Sequence, residues 1–443
     1  MLDKTIYLGP FVHTTSTREL DICEHGAIGV DEHGRIAFID RDVPASGGSY
    51  TSREGWKDAK TVRIQGEGFF FPGFIGVFGS TTLLSWLEKY TFPTESRFSD
   101  LSFASRVYSR VVQRILSNGT TTAAYYATTH VPATTLLAKL CLEAGQRAFI
   151  GRVCMDRLAP SYCADPSPEA GLELSAASAK EIQALDPTSR LVAPIITPRF
   201  APSCSPTALK GLAALAQREN LRIQTHVSEN VDELALVKDL FPDARDYIDV
   251  YARHDLLGDR TVLAHAIHLS TAEIDTLSSS RTKVAHCPCS NSCLSSGSAP
   301  VRAMLNAGVD VGLGTDVSGG FSPSLLNETK MALLVSRHLA HVSKDDKVKL
   351  HVAEALFLAT RGGAKVLGLE EKVGAFEVGL EWDAQMVRLA SVPDHTTSLE
   401  GEGLVDVYGH EEWEDRVAKW VYSGDDRNTL AVWVAGRLVH SKQ

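Results

Sequence analysis

The sequence predicts an α/β protein: a (β/α)8 barrel of the TIM type with a small β-sandwich domain formed by both termini. Three observations predict this class. The middle of the chain alternates short apolar strands with amphipathic helices, both ends are rich in β-like segments, and no Gly-x-Gly-x-x-Gly follows the first strand to favour an open doubly wound sheet. We place the barrel at residues 71–369 and the accessory sandwich at residues 1–70 and 370–443.

The two ends of the chain carry the accessory domain. Residues 27–39 place two apolar stretches around a polar turn and so predict a β-hairpin, and a loop rich in Gly and Ser follows at residues 44–49. Further β-like segments occur near the C-terminus, at residues 384–387 and 431–439. Because β-rich ends flank one long middle, we expect the ends to pair into a single accessory sheet.

The middle of the chain carries the barrel. The strand candidates are residues 120–126, 148–155, 191–197, 221–226, 262–265, 284–286 and 311–315. Between them, residues 101–117 repeat apolar side chains at nearly 3.6-residue spacing and end at a predicted C-cap, Asn118-Gly119. A second helix is predicted to begin at Ser205-Pro206, with the serine as N-cap and the proline at N1. Repeated βα units imply a parallel sheet, and about eight strands suggest a closed barrel.

Composition restricts the class of partner. The chain has 443 residues, of which 44% are hydrophobic and 22% charged, as in ordinary globular proteins. Its net charge of -10 disfavours nucleic acid, because an acidic surface repels phosphate. There is no secretory signal pattern and no apolar run near the roughly 20 residues of a membrane span. The eight cysteines are sparse and several lie in apolar runs, so we expect reduced thiols in a cytoplasmic protein that binds neither nucleic acid nor membrane.

Three predicted strands end in an ionisable residue: His226, His265 and Asp316. The C-terminal ends of barrel strands converge on one mouth, so two imidazoles and a carboxylate would meet there as a divalent metal site, with zinc favoured. Glu229, three residues after the first histidine, could transfer protons without being a ligand. A single histidine at a strand end is more often structural, and Asp316 alone could be an N-cap; the three ends together favour the metal site.

The cysteines of residues 287–293 lie near the spacing of one known zinc-binding signature. Cytidine-type deaminases use His-x-Glu followed by Pro-Cys-x-x-Cys. Here three residues separate Cys289 from Cys293, and two separate His226 from Glu229. Neither spacing fits, so we interpret these cysteines as structural or incidental.

Several short strings together resemble the amidohydrolase superfamily. Strings in the order seen there are residues 72–75, 224–230, 264–265, 285–288 and 314–316, with residues 374–379 and 383–384 resembling the return to the accessory sheet. More specific strings resemble the guanine deaminase family within it: residues 86–93 (Trp-Leu-Glu-Lys-Tyr-Thr-Phe-Pro), 118–122, 197–200 (Thr-Pro-Arg-Phe) and 424–428. The resemblance runs from about Phe71 to Val439.

The resemblance implies a reaction and its residues. Water activated by one zinc ion attacks C2 of guanine, ammonia leaves and xanthine forms. His226 and Asp316 would be zinc ligands, and Asp316 would also help take the proton of the water. Glu229 would pass a proton to the ring and then to the leaving amine, while His265 would hydrogen-bond the attacking oxygen or the developing charge. The resemblance also suggests a homodimer.

The resemblance further implies a substrate pocket for a small molecule, guanine. Arg199 would present a fixed donor fork to the purine carbonyl, and Phe200 would shape the pocket beside it. The alternative for Arg199 is a structural salt bridge. The residues expected to contact the substrate are Arg199, Phe200, His226, Glu229 and Asp316.

The chain departs from the family at one point. Members continue the string of residues 72–75 with Asp-Thr-His-x-His and then a stretch containing a substrate-binding Gln, whereas here Ile75 is followed directly by Gly76. This resembles a clean in-frame deletion that removes two zinc ligands. Catalytic zinc usually keeps at least three protein ligands, and His265 is the candidate third. We therefore predict that this chain binds zinc weakly and deaminates guanine slowly or not at all.

Three alternatives stay open at this point. The chain could be a catalytically inactive homologue that serves as a binding or assembly module, which the missing His-x-His favours. It could be a truncated gene model of an active enzyme, which the abrupt join after Ile75 favours. It could deaminate another heterocycle, such as a pterin or a triazine, although the string Pro198-Arg199-Phe200 argues against this.

Overall fold

The computed structural model describes residues 3–14, 20–33, 35–43, 53–63, 83–391 and 404–442. The chain divides into two compact units, Met1–Phe78 and Gly79–Gln443. Among the described residues, the first contains one sheet, and the second contains the barrel strands and the C-terminal strands.

A four-stranded sheet forms the first unit. Its strands are β1 (Thr5–Thr14), β2 (Leu20–Val30), β3 (Ile36–Asp40) and β4 (Lys60–Arg63), in the order β3-β2-β1-β4. The predicted hairpin is confirmed as the antiparallel pair β2–β3, whose turn is closed by Asp31 Oδ1 accepting from the Arg35 amide at 2.9 Å. The rings of Phe38 and Trp56 pack edge-on in a small apolar core, with their centroids 4.9 Å apart. The predicted loop at residues 44–49 lies outside the described residues.

A parallel sheet lies at the centre of the second unit. Its strands are β5 (Thr122–Tyr126), β6 (Arg147–Gly151), β7 (Val153–Cys154), β8 (Val192–Pro198), β9 (Arg222–Val227), β10 (Thr261–His265), β11 (Lys283–His286) and β12 (Val311–Leu313). Their order is β12-β11-β10-β9-β8-β6-β5, and β7 continues β6 along the edge of β8. Each of the seven predicted strand segments is confirmed, with residues 148–155 divided into two short strands.

Two hydrogen bonds across the sheet show that it is curled. Gln224 Nε2 on β9 donates to the Tyr125 carbonyl on β5 at 2.9 Å, and the Tyr126 hydroxyl donates to the Thr225 carbonyl at 3.2 Å. Two strand positions lie between β5 and β9, so a flat sheet would separate them by roughly 14 Å. The sheet therefore bends around an interior filled by its own side chains, which confirms the barrel class. Residues 72–75, where the first string that resembles the amidohydrolases occurs, lie outside the described residues.

Helices follow the strands along the chain. They are α1 (Leu83–Trp86), α2 (Phe92–Ser96), α3 (Leu101–Ser117), α4 (Val131–Ala144), α5 (Pro168–Leu185), α6 (Pro206–Arg218), α7 (Val231–Leu240), α8 (Tyr247–Arg253), α9 (Thr271–Ser280), α10 (Pro288–Cys293), α11 (Val301–Asn306), α12 (Leu325–Ser343), α13 (Val352–Phe357), α14 (Gly363–Leu367) and α15 (Trp413–Ser423). π-helical turns at Leu87–Thr91 and Leu358–Gly362 join α1 to α2 and α13 to α14. Short 3-10 turns occur at Arg97–Ser99, Ala201–Ser203, Asp346–Val348 and Asp426–Asn428.

The two helices predicted with their caps are confirmed. Helix α3 covers the predicted residues and has Asn118 as its C-cap. The Ser205 hydroxyl accepts from the Ala208 amide at 3.2 Å, so it is the N-cap of α6, with Pro206 at N1. The largest apolar cluster lies between helices and sheet and includes Leu209, Leu263 and Tyr251. Within the described ranges, no helix combines the length and the hydrophobicity that a bilayer crossing requires.

The C-terminal strands form sheets of their own. They are β13 (Ala384–Val387), β14 (Ala390–Ser391), β15 (Asp406–Val407), β16 (Thr429–Val434) and β17 (Arg437–Ser441), with the order β13-β16-β17 in the larger sheet. The segment predicted at residues 431–439 is a hairpin, because the chain turns at Ala435-Gly436, where both residues have positive φ. The expectation of a single sheet from both termini is wrong: among the described strands, each end pairs only with itself. A sandwich of residues 1–70 with 370–443 stays a prediction.

A buried ion pair ties the C-terminal sheet to the barrel. Arg147, at the start of β6, places Nη2 at 3.1 Å from Asp383 Oδ1 and at 2.9 Å from Glu381 Oε2. The side chains of Arg147 and Asp383 are each 3% exposed. Asp383 Oδ1 also accepts from the Ala435 amide at 2.7 Å. The carboxylate therefore joins the barrel to the turn of the β16–β17 hairpin.

Candidate active site

The three strand ends singled out in the sequence meet in space. His226 is the fifth residue of β9, His265 is the last residue of β10, and Asp316 follows β12 by three residues. The two imidazole rings stack with centroids 5.4 Å apart and an interplanar angle of 19°. One donor atom from each of the three residues lies within 4.8 Å of the others. Within the ranges that the structure describes, no other group of His, Cys, Asp and Glu residues forms such a cluster.

A second hydrogen bond fixes the orientation of each imidazole. His226 Nδ1 lies 2.5 Å from the Arg199 carbonyl oxygen, so this nitrogen donates and leaves the lone pair on Nε2. His265 Nδ1 lies 2.9 Å from Asn291 Oδ1, so the second ring is held in the same way. Metal-binding histidines typically donate their other ring N–H to a carbonyl or carboxylate. His226 therefore has the tautomer and the support of a metal ligand. Burial lowers the pKa of His265, but Glu229 and Asp316 outweigh this effect and raise the pKa, so His265 Nε2 would have to lose a proton before it could bind a metal.

The charge state of His226 also suits a ligand. Burial among the strand ends, together with the nearby His265, lowers the pKa of this imidazole to about 3. The ring is therefore neutral at ordinary pH. A metal binds the neutral imidazole, so no proton has to leave before coordination.

Glu229 lies beside the cluster and is nearly inaccessible to solvent. Its Oε2 is 3.3 Å from His265 Nε2, which in turn is 3.9 Å from Asp316 Oδ2. Burial raises the pKa of Glu229 to about 8, although His265 acts in the opposite direction. Its other oxygen, Oε1, is buried and has no hydrogen-bond partner among the described residues. The carboxyl group can therefore carry a proton near neutral pH and can offer it to a bound molecule.

The backbone around the cluster is strained. Ser228, His265 and Asp316 have φ of 48°, 72° and 44°, in the left-handed region that non-glycine residues rarely adopt. Each such residue costs on the order of 1–3 kcal/mol, and such residues concentrate at functional sites. Neighbouring contacts hold the strand ends in place: the Tyr251 hydroxyl donates to the His226 carbonyl at 2.6 Å.

Arg199 and Phe200 follow β8 at the same edge of the sheet. The salt bridge considered as the alternative for Arg199 is present: Nη1 lies 2.8 Å from Glu95 Oε2 and Nη2 lies 3.1 Å from Glu95 Oε1. Phe200 is buried in an apolar cluster with Phe92 and Met155. A substrate contact for either residue stays a prediction.

Sequence reasoning missed two residues that support this site. Asn291 lies within the stretch that was interpreted as structural, and it orients His265. Glu95 follows the specific string of residues 86–93 by two residues, and that position was the only available signal. Both act on partners far away in the sequence, which a motif cannot reveal.

The spacing of the donor atoms can be compared with the spacing that a bound metal ion requires. Zinc bonds of about 2.0–2.2 Å to nitrogen and oxygen place tetrahedral donors roughly 3.3 Å apart, so the cluster needs only a small contraction to close on an ion. Residues 64–82 include no His, Cys or Asp, and no two histidines in the whole sequence are separated by a single residue. The described site therefore fits a divalent metal with His226, Asp316 and His265 as its available donors.

The chain is similar to known proteins over nearly its whole length. Residues 72–439 match the model of the amidohydrolase family. A probable guanine deaminase of Schizosaccharomyces pombe is 44% identical over 98% of this chain and 83% of that protein. Human guanine deaminase is 38% identical over 98% of this chain and 96% of its own length. A crystal structure of guanine deaminase from C. acetobutylicum with guanine bound in the active site has a TM-score of 0.73 and 31% identity, covering 99% of this chain and all of that one.

Proposed function

The chain belongs to the amidohydrolase family, and from this premise we propose that it is a guanine deaminase, which hydrolyses guanine to xanthine and ammonia. The observation that carries the proposal is the cluster of His226, His265 and Asp316 beside Glu229. Curated guanine deaminases at 37–44% identity cover nearly the whole chain. They do not favour the alternative of an inactive binding or assembly module.

We infer that the metal is zinc and that His226 and Asp316 are its ligands. Zinc suits a site of imidazole and carboxylate donors with an open position. When bound, it would supply a water whose pKa is lowered toward about 7. The Arg199 carbonyl would keep His226 Nε2 turned toward the ion.

The side chains around the metal position would move the protons. Asp316, whose side chain is 32% exposed, would take a proton from the water. Glu229 would give its own proton to the purine ring through its unpartnered Oε1. The two protons of the water would then pass to Glu229, which would give one to the leaving amine and keep the other. His265 Nε2 faces both carboxylates and would hydrogen-bond the attacking oxygen.

The purine would lie between the metal cluster and β8. Arg199 would donate to the carbonyl of guanine, and Phe200 would form an apolar wall next to the ring. His226, Glu229 and Asp316 would complete the contacts on the side of the reacting carbon. A site built this way selects a planar, uncharged heterocycle with a carbonyl group.

The missing His-x-His limits the activity of this chain. Removing even the hydrogen-bond partners of metal ligands costs roughly 10–100-fold in affinity or activity, and two absent ligands should cost more. We therefore propose that the chain holds zinc weakly and turns guanine over slowly, with His265 as the only further donor in the described cluster.

The test is a paired measurement of zinc content after dialysis and of xanthine formation from guanine. A variant with an Asp-Thr-His-x-His segment inserted between Ile75 and Gly76 should gain stoichiometric zinc and a large increase in rate. The control is the same insertion with both histidines replaced by alanine, which should gain neither. Stoichiometric zinc in the unmodified chain would contradict the ligand argument, and no xanthine from the restored variant would contradict the proposed reaction.

We also propose a cytoplasmic homodimer that acts in purine breakdown. All eight cysteines are unpaired and seven of them are buried, which suits a reducing compartment. The dimer rests on the family resemblance and can be checked by sedimentation analysis.

A further inference from the structure

Arg199 and Glu95 form a bidentate ion pair at the edge of the candidate site. Both oxygens of the Glu95 carboxylate receive a guanidinium nitrogen, at 2.8 and 3.1 Å. The side chains are 11% and 20% exposed. The pair links α2 to the end of β8, and its two charges cancel.

The pair is next to the reacting groups. The Arg199 carbonyl oxygen accepts from His226 Nδ1, so the same residue that carries the guanidinium supports a proposed metal ligand. Burial raises the pKa of Glu229, and the Arg199 charge is near enough to act against that rise. Any molecule that contacts Glu229 therefore feels the charge of this guanidinium.

Apolar side chains enclose the pair. The Arg199 guanidinium lies 5.4 Å from the Phe92 ring centroid, and Nη1 is 3.7 Å from Met155 Sδ. Glu95 and Met155 accept hydrogen bonds from three of the five N–H groups of the Arg199 guanidinium. Few water dipoles can screen charge here, so an uncompensated guanidinium would attract anions strongly.

We propose that Glu95 is a positioning residue that makes the site selective for uncharged purines, because it orients Arg199 and cancels its charge. The fork can then donate a hydrogen bond to a neutral carbonyl without attracting an anionic ligand. This inference rests on the proposed function, since it takes Arg199 as the group that meets the purine. Its consequence concerns the product: guanine is neutral, whereas xanthine loses a proton near neutral pH. A neutral pair does not retain the xanthine anion.

Two substitutions with opposite effects on charge test the proposal. Glu95→Gln leaves the guanidinium uncompensated, and Arg199→Gln leaves the carboxylate uncompensated. Calorimetric dissociation constants are measured for xanthine and hypoxanthine at a mildly alkaline pH. There xanthine is mostly anionic, whereas hypoxanthine has the same carbonyl and stays mostly neutral. The readout is the ratio of the two dissociation constants. A loss of folding or packing alone would not shift this ratio in opposite directions in the two variants.

We expect Glu95→Gln to strengthen the binding of xanthine relative to hypoxanthine by about tenfold. We expect Arg199→Gln to weaken it relative to hypoxanthine by a similar factor. The control is Glu354→Gln, which removes a carboxylate paired with Arg302 Nη2 at 2.7 Å in a bridge whose side chains are 20% and 34% exposed. It should leave the ratio unchanged. Each variant gives its own expected shift in the ratio, so the proposal can be tested with one variant if the other does not fold.

The outcomes of this experiment distinguish a failure of this inference from a failure of the proposed function. If the unmodified chain binds both purines and the ratio is unchanged in the variants, the role of Glu95 is refuted while the purine site stands. If the unmodified chain binds neither purine, the proposed function fails and the inference fails with it.

Discussion

Replacing Asp383 with alanine should detach the C-terminal sheet from the barrel at low denaturant. The substitution leaves Arg147, whose side chain is 3% exposed, without its buried partner, and it removes the acceptor of the Ala435 amide. Breaking a buried ion pair by removing one partner costs about 3–5 kcal/mol when the remaining charge has no other partner. Arg147 keeps its contact with the more exposed Glu381, so the lower end of this range applies. We expect the free energy of unfolding of this sheet to fall by that amount.

The assay is urea unfolding followed by tryptophan fluorescence. Two tryptophans report on the affected region, since Trp382 is adjacent to Asp383 and Trp433 lies on β16. The midpoint of the fluorescence change should move to lower urea, and it should precede the loss of helical circular dichroism from the barrel.

Two further variants separate the ion pair from other effects. Glu381→Gln removes the partner whose side chain is 27% exposed, so its cost should be at most about 1 kcal/mol. The double variant Arg147→Met with Asp383→Leu removes both charges and should recover most of the loss. A cost below about 1 kcal/mol for Asp383→Ala would refute the reasoning, and so would a double variant no more stable than the single one.

Three further predictions concern the site. His226→Ala should abolish metal retention in the variant with the restored His-x-His, measured by elemental analysis after dialysis, whereas His254→Ala at the C-cap of α8 should retain it. In the same background, Glu229→Gln should keep the metal but reduce xanthine formation by at least about 100-fold, because the amide cannot carry the proton; a smaller loss would exclude Glu229 as the proton carrier. Tyr251→Phe removes the hydroxyl that bonds the His226 carbonyl, and should lower the free energy of unfolding by about 1–3 kcal/mol; an unchanged urea midpoint would show that this contact does not hold the strand end.

Local signals in the sequence predicted much of the barrel. Each parallel strand is a short apolar run buried on both faces, so its position is visible without knowledge of its neighbours. The start of α6 was predictable for the same reason, since Ser205 caps a backbone amide only three residues away. The convergence of His226, His265 and Asp316 followed from the rule that parallel strands end at one edge.

The sequence could not indicate contacts between distant segments. Glu95 and Arg199 are 104 residues apart, and nothing in either segment identifies the other as its partner. The separate pairing of the two β-rich ends was missed for a related reason, since strand propensity does not specify which strands pair. The break at Ala435 was also missed, because an alanine with positive φ gives no turn signal of its own.

The two hydrogen bonds that join β5 to β9 across the interior have a practical consequence for engineering. Because they connect the two strands directly, they specify the curvature of the sheet from residues well separated from 64–82. The strand ends that carry His226, His265 and Asp316 should therefore keep their arrangement while segments are inserted after Ile75. This chain could serve as a host for libraries of such inserts, in which metal preference is selected by changing one segment against a constant background.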